Sequence, residues 1–250
     1  MSVRLIGVDC ATDYAKVGLA RGESDGAVLR VNEAAVCTAE ETAAKRVAAW
    51  LATSEGPALV AIDAPLGWPA ALGTTLSSHR AGQPIATDPN ELFRRETDRF
   101  IKRMLGKQSL DVGADRIART AHAALRFLED LRAALGGSVP LAWRPALTAP
   151  ISAIEVYPAA TLVSHGFRSQ GYKKPDQRNE RREILESIGK IASLPADCSH
   201  MEGNADALDA CVCLLAAHDF LLGYAMPPGD LALAQTESWI WARTPRSGAG

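Results

Sequence analysis

Five carboxylates stand where an apolar sequence has no ordinary use for them. Asp9 follows Leu5-Ile6-Gly7-Val8, Asp63 follows Leu59-Val60-Ala61-Ile62, and Glu155 follows Ile151-Ser152-Ala153-Ile154. Asp206 and Asp209 open a segment that is apolar from Ala210 to Ala217. An ionised carboxylate beside a core is costly unless it is paired or binds a cation. Acids gathered at strand ends offer the oxygen ligands that Mg2+ or Mn2+ takes. The chemistry expected is therefore metal-assisted, with Asp9, Asp63, Glu155 and Asp209 as metal ligands and Asp206 as a further catalytic acid. Asp206 and Asp209 are three apart on one helix face, where like charges repel and a divalent ion reverses the sign. Asp206 also fits a plainer role, an acid complementing a helix N-terminus, so which of the two is the principal ligand stays open.

These acids need strands and one buried helix to position them. Val3 to Asp9 reads as a central strand, with Tyr14 to Ala20 and Ala27 to Val36 as further strands around the turn-rich Gly22 to Gly26. Thr38 is expected to cap a helix reaching about Thr53, with Glu40 and Glu41 in its first turn. A short apolar strand, Ala58 to Asp63, follows Gly56-Pro57. From about 68 to 150 the pattern changes to irregular loops and two helices, Glu91 to Leu105 and Ala114 to Leu135, which read as an insertion in a single domain spanning 1–250. Ala153 to Val156 resumes the strand pattern. A charged helix from Asp176 to Ile188 and an apolar one from Ala205 to Leu222 come next. Ser238-Trp239-Ile240-Trp241 reads as a late strand or a docking segment.

With 27 basic and 29 acidic residues, the near-neutral balance speaks against a dedicated, strongly basic nucleic-acid binder. Five cysteines without a C-x-x-C pair exclude a disulfide framework or structural zinc as the organising feature. The opening Met1-Ser2-Val3-Arg4 runs directly into a strand, so no signal peptide or membrane anchor is expected and the location expected is cytoplasmic. Phosphate-loop, dinucleotide-loop and G-x-S-x-G patterns are all missing.

Several segments stand in order along the chain: Ile6-Gly7-Val8-Asp9, Ala61-Ile62-Asp63-Ala64-Pro65-Leu66-Gly67, Arg95-Glu96-Thr97-Asp98, Ile154-Glu155-Val156-Tyr157-Pro158, Tyr172-Lys173 and Asp206-Ala207-Leu208-Asp209-Ala210. Together they resemble the DUF429 family, a group predicted to be nucleases with a ribonuclease H-like fold. Thr97 departs from the family's pattern, which often has Cys before that Asp. The resemblance implies an α/β fold. A mixed five-stranded sheet of ribonuclease H type is flanked by helices, its strands 1 to 3 antiparallel and strands 4 and 5 parallel to the first. It also implies hydrolysis of phosphodiester bonds in nucleic acid by a two-metal mechanism, with Arg95 and Lys173 contacting substrate.

Two basic stretches, Arg94 to Lys107 and Arg168 to Arg182, suit phosphate, although mixed charge is also ordinary for a solvated helix face. Trp68, Trp239 and Trp241 are candidates for stacking on bases, with core packing as the plainer role. Two other functions compete. Gly7-Val8-Asp9-Cys10-Ala11-Thr12 with Lys16 also looks like the first phosphate motif of actin-like kinases, although Ala11 stands where those carry glycine. A catalytically silent nucleic-acid or protein-binding module is the third. Oligomeric state and the choice between DNA and RNA are not encoded in any of these features.

Overall fold

A computed structural model describes residues 2–38, 41–53, 55–113 and 115–245. In chain order the elements are β1 (Val3–Asp9), β2 (Gly18–Ser24), β3 (Leu29–Val36), α1 (Ala43–Ala52), β4 (Ala58–Asp63), α2 (Ala70–Ser77), α3 (Pro89–Phe93), α4 (Glu96–Leu105) and α5 (Asp115–Leu135). Then follow β5 (Ile151–Glu155), α6 (Pro158–Ser164), α7 (Arg178–Gly189), β6 (Ala192–Ser193), α8 (Ser199–Gly203), α9 (Ala205–Leu221) and α10 (Leu231–Glu237).

The strands form one sheet in the order β5-β4-β1-β2-β3-β6. β1, β2 and β3 are antiparallel neighbours, while β4 runs parallel to β1 and β5 parallel to β4. That is the ribonuclease H-type arrangement expected from the resemblance. The two-residue β6 joins the far edge beside β3, making six strands where five were expected.

Alternation along the strands builds two cores. On β1, Leu5 faces α9 and its neighbours, while Ile6 and Val8 face α1 and α5. On β4, Leu59 and Ala61 face the α9 side and Ala58, Val60 and Ile62 the other. α9 is buried on nearly every side, as its unbroken apolar sequence requires. Among the described residues no helix is long and apolar enough to cross a membrane.

Several boundaries differ from expectation for identifiable reasons. β2 begins at Gly18, not Tyr14, because Asp13 accepts from the Ala15 amide and starts a 3-10 turn over Tyr14–Lys16. It then runs through Gly22 to Ser24, since the reversal sits at Asp25, whose carboxylate accepts from the Ala27 and Val28 amides. α1 is capped by Thr42, not Thr38; Glu40 lies outside the described residues. The predicted helix over 91–105 is split into α3 and α4, because Arg95 is extended and Asp98 accepts its amide. Ala114, the predicted start of the next helix, also lies outside the described residues. The tail is a docking segment: Trp241 donates to the carbonyl of Glu155, and Thr97 accepts from the Ile240 amide. Just before it, the Glu237 carboxylate accepts from the amides of Ala70 and Glu96, at the starts of α2 and α4.

Candidate metal centre

Asp9 and Asp63 are the last residues of β1 and β4, and they are direct partners in the parallel register. Each shares the parity of the residues facing α9, so both carboxylates point toward that helix. α9 reaches them because glycines remove the obstacle. A Cβ on Gly7 would lie 2.0 Å from the carbonyl oxygen of Ala210, and one on Gly18 would lie 2.0 Å from that of Asp206. The helix backbone therefore rests directly on the strand backbone. Asn204 fixes where the helix starts, its side chain accepting from the amides of Asp206 and Ala207.

The result is a triad. Carboxylate oxygens of Asp9, Asp63 and Asp209 lie within 4.8 Å of one another, with Asp209 fully buried. Tyr172 donates its hydroxyl to Asp209 Oδ1 at 2.8 Å, and the Lys173 ammonium bonds Asp209 Oδ2. Lys173 remains more than half exposed. Burial pushes the Asp9 carboxyl well above its usual range, and the neighbouring Asp63 pushes it further. Burial likewise raises Asp63 to about 6; Lys173 opposes this and Glu155 adds to it. Asp206 is half-buried in the first turn of α9, its pKa raised by desolvation and lowered by Lys173 and Lys16. Its charge is felt at Asp9, but it stands outside the triad.

Glu155 is not brought to this cluster. β5 pairs with β4 so that Glu155 lies beside Ile62, one residue short of Asp63. That offset leaves Glu155 outside the three-carboxylate cluster, although it lines a cavity with Asp9 and Asp63. There Arg95 grips both its oxygens, at 2.7 and 2.8 Å, and the Leu66 amide donates to one of them at 2.9 Å. Arg95 also bonds Asp98 twice at 3.0 Å and the Glu237 carbonyl at 3.2 Å. Burial works to lower the Arg95 pKa, but Glu155 and Asp98 outweigh it and hold the guanidinium firmly charged. Arg95 is 1% exposed with its donors engaged, and it lines a cavity together with Asp9 and Asp63. The sequence offers Tyr172 only within the Tyr-Lys segment; its direct hold on Asp209 depends on a tertiary approach that no local pattern announces.

The other basic residues singled out in the sequence are largely paired. Arg94 binds Asp111, Arg99 and Arg103 bind Glu96, Arg168 binds Glu183, and Arg178 and Arg182 bind Glu202. Arg181 is buried, its guanidinium bonded to backbone carbonyls. Trp239 and Trp241 are core residues, while Trp68 is half-exposed.

Two cavities reach the triad and a third lies next to it. One of about 270 Å³ is lined by Asp9, Asp63, Glu155 and Arg95. One of about 350 Å³ is lined by Asp63, Tyr172, Lys173 and Lys107. The largest, about 640 Å³, starts at Cys10, next to Asp9.

The sequence model of a family described as "Protein of unknown function (DUF429)" matches residues 7–232. The chain belongs to DUF429. That match takes in the whole triad and the Tyr172-Lys173 segment of this DUF429 chain. A search of curated proteins returns no match. Among solved structures, this DUF429 fold is similar to T. thermophilus RuvC in complex with Holliday junction substrate. The identity is 14% over 90% of this chain and 99% of that one, with a TM-score of 0.36.

Proposed function

We propose that this protein is a divalent-cation-dependent nuclease that hydrolyses phosphodiester bonds. One observation carries the reading: three carboxylates converge at adjoining strand ends and a buried helix, in a setting that disfavours their charge. Like charges held this close are stable when a cation is shared between them. The donor set fits a hard divalent ion, because every group offered is an oxygen. Asp9, Asp63 and Asp209 would hold it, and Asp206 is the nearby fourth carboxylate on which a two-ion arrangement would draw. Bound there, such an ion lowers the pKa of water and stabilises charge on the phosphoryl and leaving oxygens.

The remaining roles follow from the protein's own contacts. Tyr172 fixes the orientation of Asp209, as a hydrogen-bonded partner does for a metal-ligating carboxylate. Lys173, exposed on a flexible stem, holds Asp209 and is free to turn toward a phosphate oxygen. Arg95 and Glu155 act as scaffold in this reading: they tie β5 to α4 and shape the wall of the cavity behind Asp63.

Calorimetric titration with Mg2+ or Mn2+ tests the centre, with saturable binding expected in the parent and at least tenfold weaker binding in Asp9→Asn. A panel of single-stranded, duplex, hybrid and branched nucleic acids with Mn2+ tests the activity. Unchanged ion binding in Asp9→Asn, or ATP turnover without any cut polymer, would refute the reading.

A further inference from the structure

The 640 Å³ cavity lies between the N-terminal turn of α1, one face of α5 and the loop after β1. Arg119, His122 and Arg126 recur along that face of α5 at intervals of three and four, so they point the same way. Arg119 and Arg126 are exposed, and neither makes a hydrogen bond or ion pair with any described residue. The basic helices α4 and α7 differ in this respect, since most of their arginines are neutralised by named carboxylates. Among the described residues, Asp130 is the single acid lining the cavity. Ala43 and Ala44 add first-turn amides of a ten-residue helix, which lack intrahelical acceptors and favour an anion. Trp68 forms part of the wall, half-exposed and stacked on no other ring among the described residues.

From this we infer that the cavity is a binding channel for a single-stranded stretch of the nucleic-acid substrate, leading its backbone to the triad. The inference rests on the nuclease reading of that triad. Unpaired arginines beside an open aromatic face are what single-strand binding uses: cations along the phosphates and a ring on which a base stacks. Cys10 lines both this cavity and the one holding Asp9 and Asp63, so the two adjoin at the end of β1. The walls come from two helices, α1 and α5, that pack on each other.

The test measures binding apart from cleavage, using fluorescence anisotropy of a short labelled single strand with the full-length Asp9→Asn protein in Mg2+. On that background, Arg119→Ala with Arg126→Ala should weaken binding and flatten the dependence of log affinity on log salt by about 1.4, two contacts at about 0.7 each. Replacing both by Lys should keep the slope. Trp68→Ala should weaken binding roughly 5- to 150-fold, the worth of one stacked base. All three variants alter exposed or half-exposed side chains, and an unchanged thermal melt confirms that they fold. Parent-like affinity and slope in the double alanine variant would overturn the proposal. So would AMP binding as tightly as the strand and competing with it, or duplex binding more tightly through the same arginines. Cleavage is scored separately on the Asp9 parent. Arginine-dependent strand binding by a protein that cuts nothing upholds the channel and removes the nuclease reading; cutting with binding indifferent to the arginines does the reverse.

Discussion

Replacing Asp63 by asparagine should make the ion-free protein more stable and the ion-bound one less so. The folded Asp63 carboxyl titrates near 6 against an ordinary 3.8. That gap of about two units corresponds to about 3 kcal/mol at 1.36 kcal/mol per unit. Since Asp63 keeps partial exposure, about 1–3 kcal/mol is the range expected after solvent screening. The sign follows from proton binding. Between pH 3.8 and about 6 the folded state retains a proton that the unfolded state has released. Stability conferred by that proton is therefore complete below 3.8 and disappears as pH rises through about 6. Asp63→Asn removes the dependence, so its advantage should be absent at pH 3.5, grow through the window, and be full at pH 7.5 (buffer values spanning about 4 to 6,). Urea melts in EDTA would show it, and thermal melts should shift by about 2–4 °C per kcal/mol for a chain of this size. Saturating Mg2+ should reverse the ranking, because a ligand at a thousand times its Kd adds about 4.1 kcal/mol to the parent alone. The reasoning is refuted if Asp63→Asn is less stable than the parent in EDTA at neutral pH, or if Mg2+ stabilises both proteins equally.

Three other outcomes follow from the same contacts. Tyr172→Phe, which frees Asp209 Oδ1 while keeping the ring, should weaken ion affinity or activity about 10- to 100-fold with little loss of fold, as read by titration and circular dichroism. Gly7→Ala should lift α9 from the sheet, lowering stability by at least about 1–3 kcal/mol and displacing Asp209; unaltered melting and ion binding would show that the close approach is dispensable. Arg95→Met should leave Glu155 and Asp98 buried without their partner and cost about 3–5 kcal/mol, which a urea titration at neutral pH would detect.

The sequence made the triad legible because Asp9 and Asp63 each end a run of apolar residues, and Asp209 interrupts a helix with no polar face. Glu155 ends a similar run, yet its destination depends on how β5 registers against β4, and a slip of one residue exchanges the two faces. That register is set by long-range pairing, so no window around Glu155 contains it. Arg95 was unreadable for a related reason. The helical spacing over 91–105 is real, but Asp98, Glu155 and Glu237 draw Arg95 out of the helix, and two of those partners are distant in sequence. Basic residues showed the same limit. Arg99 and Arg119 look alike in a helical sequence, and only tertiary partners decide that one is paired while the other faces an open cavity.

Glu237 ties the end of the chain to its middle. Its carboxylate closes the first turns of α2 and α4, its carbonyl completes the hydrogen bonding of Arg95, and Gly67 lies hard against its backbone. In the folded protein the burial of Arg95 is therefore completed by a residue from the last stretch of the chain. A nick or premature stop just before residue 237 should accordingly produce a protein that retains its sheet but exposes the wall behind Asp63 to proteases.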